Sequence, residues 1–253
     1  MWALITGATS GIGYEIAKML AGKGINLIIV SRNTKRMNEI VSEFTNVKVL
    51  THTVDLSQNG SAAQLFDKIN QQSLVVDILI NNSGFGLLGE FYQNDVNRIE
   101  EMIQLNVMSL TILTKLFSDQ MAKRKNGYIM NIASTAAFQA IPYFGVYSAS
   151  KSFVRNFTLS LYDELKASNI FITNVNPGST KTNFFEVANT NKNAELYNVK
   201  YTMKSEDVAK MALKAMFAGK REITTGFVNK MTSRLMPLVP IKLVYNVMKK
   251  VIK

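Results

Sequence analysis

Short apolar runs alternate along this chain with longer stretches in which apolar residues recur every three or four positions. The runs are WALI near the amino terminus, NLIIV (Asn26 to Val30), KVLTHTV (Lys48 to Val54), VDILIN (Val76 to Asn81), GYIMNI (Gly127 to Ile132) and IFITNV (Ile170 to Val175). A run that is apolar throughout suits a strand buried on both faces, and strands spaced by helices pair in parallel through right-handed crossovers. The pattern predicts an α/β fold with a doubly wound parallel sheet. The four prolines are scattered at 142, 177, 237 and 240 and no repeat or linker interrupts the rhythm, so a single domain is expected over 1–230. Residues 231–253 read as a C-terminal extension and not as an independent domain. In such a sheet a ligand sits beyond the carboxyl ends of the strands, where strand order reverses, so functional motifs should follow the strands.

The residue inventory narrows the chemistry. With no cysteine and one histidine, His52, the chain has no disulfide, thiol nucleophile or multi-histidine metal site, and no metal is expected. The lone His52 lies in an expected strand and reads as a packed or cofactor-adjacent residue. No G-x-S-x-G elbow is present for hydrolase chemistry. The opening MWALITGATSG has no basic segment before an apolar one, and no apolar run approaches the roughly 18 residues of a membrane span. The expected location is the cytoplasm.

After the first run comes TGATSGIG, Thr6 to Gly13, leading into a stretch of helical period that ends near Gly24. Glycines let the backbone approach a pyrophosphate closely, and a helix amino terminus offers unpaired N–H groups and a positive dipole end. Plain turn chemistry is the competing reading of three glycines. The second run ends in VSRN, placing Ser31 and Arg32 where an acid would hold the ribose 2′-hydroxyl of NAD. A guanidinium suits a 2′-phosphate instead, so NADPH is expected over NADH, against the alternative of a solvated arginine.

The spacing GxxxGxG resembles the glycine motif of the short-chain dehydrogenase/reductase family, whose fold is of the Rossmann type. The resemblance extends over further residues: Asp55 in VDLS, NNSG at Asn81 to Gly84 with Ser83 in place of the usual alanine, Asn106 in QLNVMSL, Ser134 in NIAST, YSASK at Tyr147 to Lys151, and NPGSTKT with Pro177, Gly178 and Thr182. It runs from about Trp2 to Thr182, and is nearest to bacterial DltE-like members and the hydroxysteroid and ketoacyl reductase branch. It implies cofactor contacts at Thr6, Gly7, Ser10, Gly11, Ile12, Gly13, Ser31, Arg32, Asp55, Leu56, Asn82, Gly84, Tyr147, Lys151, Pro177, Gly178, Thr180 and Thr182, and catalytic roles for Asn106, Ser134, Tyr147 and Lys151.

Physical chemistry gives the last pair a task of its own. On a helix starting near Tyr147, residues four apart share a face, and a fixed positive charge near a phenol is expected to lower its pKa by about 1 to 3 units. Such a phenol can give a proton to a carbonyl oxygen or take one from an alcohol, with Ser134 bonding the same oxygen. An ordinary Tyr–Lys helix pair is the bland alternative. A non-catalytic dinucleotide-binding sensor or scaffold is the alternative from another class.

The loops after the fifth and sixth runs carry Phe138, Ile141, Tyr143, Phe144, Phe184 and Phe185, without an arginine cluster. They predict an apolar ketone or aldehyde as substrate, with a 3-oxoacyl thioester on acyl carrier protein or CoA as the rival; some of these side chains could instead serve core packing. The Asn- and Lys-rich stretch from Phe184 to Met203 reads as a mobile lid. Charge is concentrated at the end: of a formal net +11, the last 34 residues hold eight basic side chains and one acid, Glu222. The closing segment has the pattern of a basic amphipathic helix, suited to packing on protein or to a peripheral membrane contact. No nucleic-acid partner is expected, and a homodimer or homotetramer is.

Overall fold

A computed structural model of the chain describes residues 1–182, residue 184 and residues 202–252, with side chains given through residue 246. Most of the stretch read as a lid, Phe185 included, lies outside the described residues. In chain order the elements are β1 (Trp2–Thr6), α1 (Gly11–Ala21), β2 (Asn26–Ser31), α2 (Thr34–Glu43), β3 (Val49–Thr53), α3 (Ser61–Gln71) and β4 (Ile78–Asn81). There follow α4 (Val96–Ile103), α5 (Leu110–Arg124), β5 (Gly127–Ile132), α6 (Gly145–Lys166), β6 (Ile170–Asn176), β7 (Thr180–Lys181), β8 (Met203–Lys204), α7 (Ser205–Phe217), β9 (Glu222–Thr224), α8 (Phe227–Leu235) and α9 (Ile241–Ile252).

Seven strands form one sheet in the order β3-β2-β1-β4-β5-β6-β9, every neighbouring pair parallel. This is the doubly wound Rossmann-type sheet expected. All six apolar runs are strands, and the seventh strand, β9, is a three-residue edge that the apolar pattern did not announce. Strand order reverses between β1 and β4, which places the switch point above TGATSGIG and NNSG.

Alternate residues of each central strand face opposite layers. Ala3, Ile5, Leu27 and Ile29 pack with Ile16 and Leu20 of α1, Met37 and Ile40 of α2, and Ala212 and Met216 of α7. Leu4, Ile28 and Leu79 face Leu65 and Ile69 of α3 and Leu113, Phe117 and Met121 of α5. Side chains buried this fully contribute about 1.5–3 kcal/mol each relative to exposure, and they fix which face of the sheet each helix covers. A polar chain crosses the sheet within this apolar layer: Asn81 Nδ2 donates to Thr114 Oγ1 (3.0 Å) and Asn131 Oδ1 (2.9 Å), and Asn131 Nδ2 donates to Thr158 Oγ1 (3.0 Å). Because Thr158 belongs to α6, this chain sets the height of that helix on β5.

The C-terminal segment is helical. Helix α8 runs across position 230, and Tyr245 of α9 stacks on Tyr143 with ring centroids 5.9 Å apart. Among the described residues no helix is long and apolar enough to cross a membrane.

Candidate active site

The carboxyl ends of the strands open into a cavity of about 700 Å³. One end is the glycine loop. Gly7 and Gly11 have φ of +67° and +57°, and a Cβ at Gly11 would lie 2.7 Å from Thr182 Cγ2. Ser10 caps α1 by position, but its side chain makes no bond to the first-turn amides. By contrast Asn33 and Asp95 cap α2 and α4 with their side chains. The first turn of α1 thus keeps its N–H groups for a ligand, the arrangement that suits an anionic pyrophosphate.

Of the eighteen positions expected to contact a cofactor, the wall of the cavity holds all but Thr6 and Gly13. These two stand behind it. The Thr6 hydroxyl donates to the Ile80 carbonyl (3.4 Å) and accepts the amides of Asn82 and Ser83 (3.0 Å each), while Asn82 Nδ2 donates to the carbonyls of Thr6 and Gly7 (3.0 Å each). These bonds of Thr6 tie β1 to the NNSG turn, while at Gly13 a Cβ would stand 2.4 Å from Asn82 Nδ2. Above β2, the Ser31 hydroxyl is 3.2 Å from Thr9 Oγ1, and Arg32 Nη1 lies 3.7 Å from Asp55 Oδ2 in a solvent-exposed pair. Burial would raise the Asp55 carboxyl, but the Ser57 hydroxyl and amide and the Arg32 guanidinium outweigh it and hold the group below its usual value.

At the centre, α6 delivers Tyr147 and Lys151 to the same cavity that Ser134 reaches from the end of β5. Tyr147 is buried against Phe144, ring centroids 4.3 Å apart, and beside Phe184 at 5.3 Å. Lys151 is buried with its Nζ donating to the Ile132 carbonyl at 2.8 Å and lying 5.9 Å from the Tyr147 ring centroid. The direction of the phenol's shift corrects the sequence expectation. Burial pushes Tyr147 up to about 12, with the hydrogen bond to Ser134 pulling the other way. The same burial pushes Lys151 down to about 8. A lysine committed to a carbonyl in a dry site neither bonds the phenol nor offsets its loss of water.

Asn106 does not touch the cavity. It sits in a π-helical turn, Gln104–Ser109, between α4 and α5, where it accepts from the Phe85 amide (3.1 Å) and donates to the Phe85 carbonyl (2.9 Å) and Ser150 Oγ (3.1 Å). Ser150 in turn donates to the Tyr147 carbonyl (2.7 Å). A Cβ at Gly84 would fall 2.9 Å from Asn106 Oδ1 and 3.3 Å from Lys151 Nζ, which explains the glycine of NNSG.

The remaining wall is largely apolar, and only partly as expected. Ile141, Phe144 and Phe184 line it, joined by Phe85, Leu88, Leu105 and Met236. Phe138 instead lies under the Arg155 guanidinium (4.4 Å to the centroid), and Tyr143 is drawn away to Tyr245. Thr232, Ser233 and Met236, from α8 and the turn after it, close one side. Sequence reasoning missed them because their segment was read only for its apolar and basic face. His52 lines a separate cavity with Asn38 and Gln72; burial, with Lys68, lowers its pKa. Among the described residues no cluster of His, Asp or Glu could hold a metal ion.

Comparison with known proteins gives the same outline. The family described as short chain dehydrogenase matches residues 1–193. A very-long-chain 3-oxoacyl-CoA reductase from Anas platyrhynchos is 32% identical over 193 residues, 74% of this chain and 62% of the relative, so the match spans less than two thirds of that protein's length. A short-chain dehydrogenase from Sphingobium yanoikuyae, solved in complex with NADPH, superposes with a TM-score of 0.83 at 26% identity, covering 94% of this chain and 96% of that one. The bulky-bulky ketone specific alcohol dehydrogenase of Comamonas testosteroni superposes with a TM-score of 0.78 at 27% identity, covering 94% of each chain.

Proposed function

This chain belongs to the short-chain dehydrogenase family, and on that footing we propose that it is an NADP(H)-dependent oxidoreductase that reduces the carbonyl of an apolar ketone or aldehyde. The observation that carries the reading is the convergence of Tyr147, Ser134 and Lys151 on one cavity whose opposite end is the glycine loop. When bound, the nicotinamide supplies the hydride. Tyr147 gives its hydroxyl proton to the substrate oxygen, and the Ser134 hydroxyl donates to the same oxygen. A phenol held up near 12 is protonated at neutral pH, which suits the acid of a reduction. Lys151, held by the Ile132 carbonyl within the same cavity, would hold the cofactor's ribose when it binds, and Asn106 holds Phe85 and Ser150 so that this turn of α6 keeps its place. The exposed Arg32 offers its guanidinium fork to a 2′-phosphate.

A second reading, reduction of a 3-oxoacyl thioester, is favoured by the name of the Anas relative and by the apolar side chains of Phe85, Phe144 and Met236 in the cavity wall. The two readings share their chemistry and differ in what fills the wall of Phe85, Phe144 and Met236.

The test is NADPH and NADH binding and turnover with a panel of apolar ketones and 3-oxoacyl-CoA esters. NADPH preference that collapses in Arg32→Ala, and turnover that drops at least about 1,000-fold in Tyr147→Phe with NADPH binding intact, are the expected results. NADPH binding without turnover on any carbonyl would favour the sensor reading.

A further inference from the structure

The surface beyond the cavity wall is apolar and basic. On α8, Phe227, Met231 and Leu235 succeed one another every four residues and are all exposed, and Leu238, Ile241 and Leu243 continue the apolar surface through the turn into α9. Phe227 and Leu238 are each 79% exposed, an extreme for large apolar side chains. Lys230, Arg234 and Lys242 are interspersed with them, and the sequence contains no acidic residue after Glu222. Scattered apolar residues need no explanation, but a contiguous apolar strip edged by cations does.

We infer that this face, α8 and the first turns of α9, docks on the surface of an anionic phospholipid bilayer. Charge decides between a membrane and a second copy of the chain. A two-fold dimer through this face would set the same patch against itself and bring cation against cation. A bilayer of anionic lipids takes the apolar strip into its headgroup boundary and the cations onto its phosphates. The helix is built for such a border: Thr232 and Ser233, on another side of α8, and Met236 just beyond it line the substrate cavity. Docking therefore lays one wall of the cavity against the lipid surface. The inference goes beyond the proposed reduction, because binding to vesicles requires no turnover and no cofactor.

The experiment is flotation of the purified full chain with vesicles of phosphatidylcholine alone and of phosphatidylcholine mixed with phosphatidylglycerol, at low and high salt. Flotation with the anionic vesicles, lost at high salt, is expected. Leu238→Ser should lower the partition coefficient about tenfold and Arg234→Gln about fivefold, each with an unchanged unfolding midpoint since both side chains are exposed. Equal flotation with both vesicle types, or none with either, overturns the inference. If the chain floats with neither and sediments as a dimer that Leu238→Glu dissociates, the face belongs to a second copy.

Discussion

Tyr147 and Lys151 share one burial with opposite consequences. The phenol is neutral when protonated, so desolvation keeps its proton on; the ammonium is charged when protonated, so desolvation drives its proton off. For Lys151 the pKa falls from the ordinary 10.5 to about 8, so between those values the unfolded chain binds more protons than the folded one. Stability therefore rises with pH through that window as the buried charge is relieved, and the cost is present in full below about pH 8. Above pH 10 the Tyr147 contribution runs the other way, because the unfolded phenol ionises first. Lys151→Met removes the buried charge but leaves the Ile132 carbonyl without its 2.8 Å donor. The burial cost of about 3 kcal/mol, less about 1–2 kcal/mol for the lost hydrogen bond, predicts a variant about 1–2 kcal/mol more stable at pH 7. Urea unfolding at pH 7 and pH 9.5 measures this, and the rise with pH seen in the parent should be absent from the variant. A destabilised Lys151→Met would mean that the charge is solvated or paired in solution.

At the scale of elements, the start of α1 is the most tightly specified junction. A Cβ on Gly13 would stand 2.4 Å from Asn82 Nδ2 and 2.5 Å from the Gly7 carbonyl, where Asn82 ties the loop to β4. Gly13→Ala should cost about 1–3 kcal/mol through forced repacking, and it should weaken dinucleotide binding. Gly145→Ala is the control, since a Cβ there meets nothing within 4 Å. Thermal unfolding and cofactor titration separate the two variants. This junction was legible in the sequence because positive-φ turns and close backbone approach demand glycine, and so were the six strands whose apolar runs do not alternate. Other features were not, for physical reasons. The π-turn holding Asn106 is imposed by contacts to Phe85, twenty-one positions away, and carries no local signal. The upward shift of the Tyr147 phenol depends on burial, which a Tyr–Lys spacing does not encode. Strand β9 is too short for a periodicity, and the cavity side of α8 carries Thr232 and Ser233, whose polarity hides a wall behind an apolar helix.

Across the whole molecule, one carboxylate fixes the edge strand from which the chain runs into the wall that closes the cavity. Glu222 begins β9 and receives Arg155 Nε (2.6 Å) and Nη2 (3.1 Å) from α6, and Asn174 Nδ2 (3.0 Å) and Asn176 Nδ2 (2.8 Å) from β6. The helix that bears Thr232 and Ser233 follows two residues after β9, beyond Gly226 at φ +83°. The glycine loop and NNSG, by contrast, are held by β1 and β4 at the centre of the sheet. Glu222→Ala strands Arg155 and two amides, and with the carboxylate about a quarter exposed the loss is expected near 2 kcal/mol, below the value for a fully buried pair. Its functional signature should be asymmetric. Dinucleotide affinity is retained, because the contacts to β1 and β4 are untouched, while KM for the carbonyl substrate rises several-fold as α8 loses its anchor. Glu222→Gln, which keeps an amide oxygen for Asn174 and Asn176, should recover part of the stability and most of the KM. A fall in unfolding temperature with KM unchanged would show that α8 holds its position on the cavity without this link; a parallel loss of dinucleotide affinity would show that the centre of the sheet and its β9 edge do not act separately.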